Sequence, residues 1–301
     1  MSKKIFKTFL CGLSTLLATS CTANLDNFVY HYEVNFSTID TSNIEVEKLI
    51  VGMECNYSPF NWTDPNDNDY NVAISNVGGS YADGYDVQIA KLLSKALNME
   101  VEIIKEDWES LVPDVQLGSI NLVLAGMTDT EERRQSIDFT NEYYRSELVL
   151  VTKKDIADKH TNILNSDELS ILLKDKNIVS QVSTVTNDVI ETFKTNYGAY
   201  HSSPLPTFAD CAIDISNGSS FAMTAEYPVA EAIVNSNKNL GIIRISQDIL
   251  GIDLSSLGVS IGIKKGNDNL KKCINEALSQ INQDIRNQMM SEAVTRSGEY
   301  L

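Results

Sequence analysis

The chain has 301 residues, of which 43% are hydrophobic and 22% are charged, and its formal net charge is −17. These proportions are ordinary for a folded globular protein, whereas the excess of acids disfavours nucleic acid and anionic lipid as partners. Because single domains usually span ~100–200 residues, a chain of this length predicts two compact lobes.

The first 20 residues have the layout of a secretory signal. Three lysines precede and overlap an apolar run over residues 5–18, which is too short for a membrane span. The small residues before Cys21 resemble a bacterial lipobox, which predicts cleavage after residue 20 and lipid on Cys21. Leu17 and Ala18 depart from the usual lipobox, so plain secretion and an ordinary apolar helix stay open. Loss of residues 1–20 changes the formal charge from −17 to −20.

Residues 21–47 are polar, contain no glycine or proline, and show weak periodicity. We predict that they form a tether between the lipid anchor and the fold. Their aromatic residues Phe28, Tyr30 and Tyr32 leave a second interpretation open, in which this segment packs on the fold.

The cysteines argue against both a disulfide framework and a metal site. Once Cys21 carries lipid, three scattered cysteines remain, namely Cys55, Cys211 and Cys273. An odd number of distant cysteines without a CxxC or Cys/His cluster is typical of buried free thiols. We therefore expect no metal and no cofactor.

From residue 49 onward, short apolar runs alternate with helical periodicity, which predicts mainly parallel sheets flanked by helices. Strands are predicted at residues 49–52, 101–104, 120–125, 178–182, 221–224 and 240–245. Helices are predicted at 86–97, at 185–193 and, as a pair, over 269–297, and a further short helix is predicted to end near residue 118.

Two extended segments, residues 146–151 and 258–263, are predicted to cross between the lobes. Lobe 1 would then comprise residues 48–147 and 262–301, and lobe 2 residues 148–261. Ligands of open α/β sheets bind beyond the carboxyl ends of the strands, so a cleft between the lobes is the expected site.

One such strand end carries the sequence AGMTDTEERR, residues 125–134. Thr128 and Glu131 have capping-box spacing, which predicts a helix that begins near Thr130. Arg133 falls in its first turn, where the helix dipole disfavours a cation, so a ligand anion is suggested. An arginine fork with the Thr128 hydroxyl and the Gly126 carbonyl could cradle an amino acid. A solvated pair of Arg133 and its neighbour is the alternative.

Together, the motifs resemble the extracytoplasmic solute-binding proteins of amino-acid ABC importers, including the glutamine- and histidine-binding proteins. The resemblance runs from about residue 49 to the C-terminus. Its motifs are VGMECNYSPFNW, GYDVQIAKLL, WESLVP, GMTDTEER followed by IDFTNEYY, VSQVST and GIKKGNDNLKKCINEAL. It implies an α/β fold with two lobes, the type II periplasmic-binding-protein-like fold, with two crossover strands as a hinge.

The resemblance also implies roles for single residues in lobe 1. Arg133 would bind the ligand carboxylate, with Gly126 and Thr128 as further hydrogen-bond partners. Tyr57 and Tyr85 would enclose the ligand side chain between their rings.

Three further roles follow from the same resemblance. Glu54 would lie near the distal end of the side chain, Thr184 would close over the carboxylate from lobe 2, and Glu226 would hold the ammonium group. Glu226 could instead be only a first-turn helix acid. Ser183 stands where the family usually has glycine, and residues 64–83 form a longer loop than usual, predicted to be exposed near the cleft mouth.

The implied function is capture of a polar L-amino acid, cationic or amide, by a monomeric lipoprotein on the extracytoplasmic face of the membrane, for delivery to an ABC permease and its ATPase. Because Glu54 would repel an acidic side chain, lysine, arginine, ornithine, histidine and glutamine are favoured as ligands over glutamate and aspartate. Two alternatives remain: a sensing module without transport, and a dehydratase-like enzyme that uses Glu226. No nucleophile elbow, P-loop or metal spacing supports an enzyme.

Overall fold

The computed structural model describes residues 28–253 and 257–298. The strands are β1 (Lys48–Met53), β2 (Asn56–Tyr57), β3 (Asn61–Asp64), β4 (Val72–Ala73), β5 (Tyr81–Asp83), β6 (Glu100–Lys105), β7 (Leu122–Val123), β8 (Asp138–Arg145), β9 (Leu148–Lys153), β10 (Asn177–Val179), β11 (Tyr200–His201), β12 (Ala222–Glu226), β13 (Leu240–Arg244) and β14 (Gly258–Ile263). The α-helices are α1 (Tyr85–Leu97), α2 (Leu111–Leu117), α3 (Glu131–Arg134), α4 (Lys154–Ala157), α5 (Ser166–Leu173), α6 (Val185–Tyr197), α7 (Phe208–Asn217), α8 (Tyr227–Ser236), α9 (Asp268–Ser279) and α10 (Gln283–Ser297).

Each lobe is built on a five-stranded sheet. The strand order is β6-β1-β7-β14-β8 in lobe 1 and β11-β10-β12-β9-β13 in lobe 2. In each sheet one strand, β14 or β9, runs antiparallel to both of its neighbours, and the other four share a direction. β9 is the first strand after the chain passes from lobe 1 to lobe 2, and β14 is the first strand after it returns to lobe 1. The mainly parallel arrangement predicted from the alternating pattern is thus observed.

The second crossing lies earlier in the chain than predicted. β14 pairs along its whole length with β8 of lobe 1, from Gly258 opposite Arg145 to Ile263 opposite Asp138. Every residue of β14 is buried, because the strand lies between β7 and β8. Lobe 1 therefore resumes at residue 258 rather than 262. The first crossing, between β8 and β9, falls within the predicted segment 146–151.

Residues 28–47 pack on lobe 1 instead of forming a tether. Tyr32 and Val34 are each only 4% exposed. The Tyr32 hydroxyl donates a hydrogen bond to Glu292 of α10 at 2.7 Å, and the Cys273 thiol of α9 donates to the carbonyl oxygen of Asp40. The structure thus favours the alternative in which this segment packs, since its alternate apolar side chains complete the core. Residues 21–27, and Cys21 with them, lie outside the described residues.

The 64–83 segment is exposed over much of its length, as predicted, and it is also anchored to the fold. It contributes β4 and β5 to a small four-stranded sheet of order β2-β3-β5-β4. Buried Asp64 accepts hydrogen bonds from Asn66 and Asn68 in the following turn. At its tip, Tyr70 stacks on His31, with ring centroids 3.8 Å apart, and lies 4.1 Å from the Arg296 guanidinium. The segment therefore joins the N-terminal residues to α10.

The three described cysteines are buried free thiols, as predicted. Within residues 28–253 and 257–298, no group of three or more His, Cys, Asp or Glu side chains could hold a metal ion. In the same part of the chain, no helix combines the length and the apolar character needed to cross a membrane.

We predict that Tyr32→Ala lowers the free energy of unfolding by about 3 kcal/mol, because it removes a buried aromatic ring and its hydrogen bond to Glu292. Urea denaturation measures this change. Tyr200→Ala is the matched control, since Tyr200 is 56% exposed. Equal effects of the two substitutions would show that residues 28–47 do not pack on the fold in solution.

Candidate functional site

The carboxyl ends of four strands, two from each lobe, meet at the cleft. Glu54 and Tyr57 follow β1, Thr128 follows β7, Thr184 follows β10, and Glu226 ends β12. Hydrogen bonds between residue pairs near these strand ends connect the lobes, among them Tyr57 to Glu226, Gln181 to Glu54, and Arg133 to Ser183. The two lobes are therefore closed on each other.

Arg133 is held by oxygen atoms from both lobes. Its Nη1 donates to the carbonyl and to the hydroxyl oxygen of Thr128, both at 2.8 Å, and its Nη2 donates to the Ser183 carbonyl at 2.9 Å. Burial lowers the pKa of Arg133 to about 10, while the charges of Asp188, Glu132 and Glu226 oppose this shift. The guanidinium is thus charged near neutral pH.

The cap of α3 differs from the prediction. Thr130, not Thr128, is the N-cap, because its hydroxyl oxygen accepts from the Arg133 backbone N–H at 3.2 Å. Thr128 is consequently free to accept from the Arg133 side chain. Arg134 points elsewhere: it is exposed and forms a two-pronged ion pair with Asp129. The adjacent arginines therefore have separate environments.

Trp108 is a site residue that the sequence analysis did not assign. Its indole Nε1 donates to the Ser183 carbonyl at 3.2 Å, the same oxygen that Arg133 contacts, and its ring lies 5.2 Å from the Arg133 guanidinium. Ser183 has a φ of 57°, a left-handed conformation that favours glycine. This conformation is consistent with the family's glycine at that position. The WESLVP motif contained Trp108 but gave no indication of its role.

Thr184 is the N-cap of α6. Its hydroxyl oxygen accepts from the backbone N–H of Asn187 at 3.2 Å, and the hydroxyl donates to the Gln181 carbonyl at 2.7 Å. The side chain is thus engaged in its own turn. The free N–H groups and the positive end of the dipole of this 13-residue helix lie beside Arg133.

Glu226 reaches into the cleft instead of capping its helix. It precedes α8 without forming a side-chain cap, and its Oε2 accepts from the Tyr57 hydroxyl at 2.7 Å. Burial raises the pKa of Glu226, whereas the Tyr57 hydrogen bond and the charge of Arg133 lower it. The carboxyl group is therefore directed at lobe 1.

The predicted pairing of Tyr57 with Tyr85 is not the arrangement observed. Tyr57 stacks on Phe60 at 5.1 Å and on Phe208 at 4.9 Å between ring centroids. Tyr85 is fully buried behind Phe60, and its hydroxyl donates to the Tyr143 carbonyl at 2.8 Å. Tyr85 is the first residue of α1, and its ring is buried in the core of lobe 1. Phe208 comes from α7 in lobe 2, and no local sequence signal predicts its position at the cleft.

Glu54 is buried, with 6% of its surface exposed. Gln181 Nε2 lies 3.1 and 3.3 Å from its two carboxylate oxygens and donates to them. Burial raises the pKa of Glu54 to about 7, although Gln181 and Lys105 oppose this shift. The carboxyl group also borders a cavity of about 420 Å³ at the cleft mouth, which Asp107 and Glu109 help to line.

Gly126 has a φ of 57°, and a Cβ atom there would lie 2.6 Å from the Tyr57 ring. Its backbone N–H donates to the Tyr143 hydroxyl at 3.2 Å. The close approach of Gly126 to Tyr57 therefore requires glycine.

Comparison with known proteins places this fold and site in a family. Residues 49–293 match the family model for bacterial extracellular solute-binding proteins, family 3. The arginine-binding extracellular protein ArtP of Bacillus subtilis (strain 168) is 28% identical over 194 residues, which cover 64% of this chain and 67% of ArtP. The ABC transporter arginine-binding protein 1 of Escherichia coli (strain K12) is 24% identical over 82% of this chain and 90% of its own length. Further relatives are named as histidine- and glutamine-binding proteins.

A solved structure shows the same fold. The amino acid ABC transporter substrate-binding protein AbpA of Streptococcus pneumoniae, bound to L-arginine, superimposes with a TM-score of 0.68 at 21% identity, over 83% of this chain and 96% of AbpA. The chain belongs to the bacterial extracellular solute-binding proteins of family 3, which are amino-acid-binding components of ABC transporters that act outside the cytoplasm. The type II two-lobed fold is confirmed.

We predict that Glu54→Gln stabilises the ligand-free protein at pH 8 but not at pH 4.5. The folded state holds the Glu54 proton more tightly than the unfolded chain, so this group's contribution to stability falls as pH rises from about 4.5 to about 7. A neutral amide escapes that loss, which is on the order of 2 kcal/mol. Thermal unfolding from pH 4.5 to 8 measures the difference. With exposed Glu276→Gln as control, a pH-independent difference for Glu54→Gln would refute the prediction.

Proposed function

We propose that this protein is an extracytoplasmic lipoprotein that captures a polar L-amino acid with a cationic or amide side chain and delivers it to an ABC importer. One observation carries the proposal: Arg133 of lobe 1 and Glu226 of lobe 2 are each hydrogen bonded across the cleft to a neutral group, the Ser183 carbonyl and the Tyr57 hydroxyl. An α-amino acid carries one carboxylate, which would pair with Arg133, and one ammonium group, which would pair with Glu226.

The carboxylate would bind at Arg133. The Arg133 Nη2 now donates to the Ser183 carbonyl, and a ligand carboxylate is a stronger acceptor for the same donor. The start of α6 adds backbone N–H groups and a positive dipole end on the opposite side. Both lobes would therefore contact one anionic group, so that binding and closure are coupled.

The ammonium group would bind at Glu226. Its carboxylate now accepts only the neutral Tyr57 hydroxyl among side-chain donors of the described residues. A charged donor forms a stronger hydrogen bond with a carboxylate than a neutral hydroxyl does. The ligand ammonium would thus take up the acceptor capacity that Tyr57 leaves unused.

The side chain would extend toward Glu54. Its carboxyl group is buried and hydrogen bonded to a neutral amide, and the charges of Asp107 and Asp210 act on it against the single positive charge of Lys105. A guanidinium or ammonium group would compensate this charge, an amide would donate to it, and a carboxylate would be repelled. Relatives named as arginine- and histidine-binding proteins are consistent with the cationic class.

A thermal-shift screen of the protein against the twenty common amino acids and ornithine tests the proposal. We expect lysine, arginine, ornithine, histidine or glutamine to raise Tm, whereas glutamate and aspartate do not. A shift with glutamate alone would refute the role of Glu54. Mass spectrometry of the best ligand after incubation separates binding from dehydratase-like turnover. Loss of cellular uptake of this ligand on deletion of the protein separates transport from sensing.

We predict that Arg133→Ala and Glu226→Ala each weaken binding by roughly two to nearly four orders of magnitude, because each leaves one ligand charge unpaired in the closed cleft, at a cost of ~3–5 kcal/mol. Arg134→Ala is the matched control, since its guanidinium is exposed and paired with Asp129. Isothermal titration measures all three. If Glu226→Ala binds with wild-type affinity, another residue must bind the ammonium group.

We predict that Cys21→Ala releases the protein from the membrane fraction. Stable anchoring requires more than one acyl chain, so the proposed anchor is a diacylated Cys21. Cell fractionation and immunoblotting measure the distribution, with Cys11→Ala as a control within the signal. Unchanged membrane association of Cys21→Ala would contradict the lipid anchor.

A further inference from the structure

A fully buried carboxyl group lies beneath the cleft and has no part in the binding scheme above. Asp86, the second residue of α1, is 0% exposed. Its position in the first helical turn suits an acid, but its side chain forms no cap with the helix N–H groups. The Asp86 carboxyl group instead accepts from the Tyr143 hydroxyl at 2.6 Å and from Asn61 Nδ2 at 2.8 Å.

These two donors connect Asp86 to two loops of the site. The Tyr143 hydroxyl also accepts from the Gly126 backbone N–H at 3.2 Å, and Asn61 Oδ1 accepts from the Cys55 backbone N–H at 2.7 Å. One branch of the network thus ends two residues before Thr128, and the other ends at the residue after Glu54. Asp86 therefore lies at the centre of a network that reaches both loops.

One of the two peptide units at the ends of this network needs external support. Gly126 has a φ of 57°, which glycine adopts readily, whereas Cys55 has a φ of 51°, a costly left-handed conformation for a residue with a side chain. Such conformations persist only where the surroundings determine them. The bonds from the Asp86 network supply that constraint.

We propose that Asp86 is a positioning residue of the ligand site, which through Tyr143 and Asn61 fixes the loops that carry Thr128 and Glu54. The proposal rests on the proposed function, because its consequence is measured as ligand affinity. It predicts that weakening the network displaces the contacts of the ligand without unfolding the protein.

The charge of Asp86 is not compensated by its ionisable neighbours, which are Cys55, Tyr57, Tyr85 and Tyr143. Burial raises the pKa of each of these groups, to about 12 for Cys55, so all four are neutral near pH 7. Burial also raises the pKa of Asp86 to about 7, and the Tyr143 hydrogen bond opposes that shift. Protonation of Asp86 below neutral pH would weaken the network.

Tyr143→Phe tests the proposal, because it keeps the ring stacked on Tyr85 and removes only the hydroxyl. We expect at least a tenfold loss of affinity for the best amino acid of the screen, and an onset of affinity loss at higher pH than in wild type. The pKa of Asp86 should rise when this donor is lost, which gives the direction of the change. The control is Tyr197→Phe, which removes a hydroxyl bonded to the Ile249 carbonyl in lobe 2.

Isothermal titration from pH 5.5 to 8.5, with thermal unfolding of each ligand-free variant, measures both effects. Asp86→Asn, which keeps the shape, should also bind weakly and depend less on pH than wild type. If Asp86→Asn fails to fold, Tyr143→Phe decides alone. If Tyr143→Phe keeps the wild-type affinity and pH profile, and lowers Tm by the same amount as Tyr197→Phe, this proposal is overturned while the proposed function stands. Absence of binding by wild type to any amino acid would overturn the proposed function and this proposal with it.

Discussion

The contact between the Arg133 guanidinium and the two lobes is the interaction on which the closed structure depends. A partly buried cation is costly unless oxygen atoms surround it, and here they come from Thr128 in lobe 1 and Ser183 in lobe 2. Ser183, which has a left-handed backbone conformation, supplies one of these oxygens, and the Trp108 indole donates a hydrogen bond to the same oxygen. Arg133 therefore obtains its full set of hydrogen bonds only when the two lobes are closed.

The carboxyl groups near Tyr57 indicate what the cleft attracts. Two of them, those of Glu54 and Glu226, belong to the proposed ligand site. Burial raises the pKa of both, so each would be stabilised by a nearby positive charge. Under the proposed function, the ligand ammonium group would meet Glu226, a cationic or amide side chain would meet Glu54, and the carboxylate would balance Arg133.

Local sequence patterns predicted most of the fold, whereas the roles of the lobe 1 site residues came from the family resemblance. The helical period identified α1 and α6, but the strand-end motif by itself left open whether Arg133 meets a ligand or forms a solvated pair with Arg134. The sequence could not predict Phe208 and Gln181 as cleft residues, because their contacts with Tyr57 and Glu54 join segments more than a hundred residues apart. The packing of residues 28–47 stayed one of two alternatives for a related reason, since their partners in α9 and α10 are more than 200 residues away in the chain.

The central claim is that Arg133 and Glu226, from different lobes, recognise the carboxylate and the ammonium group of one α-amino acid. Calorimetric titration with L-arginine and with agmatine, which lacks only the carboxylate, tests it most directly. The account predicts that agmatine binds at least a hundredfold more weakly than L-arginine. Equal affinity for the two compounds, or binding of L-glutamate in preference to both, would contradict it.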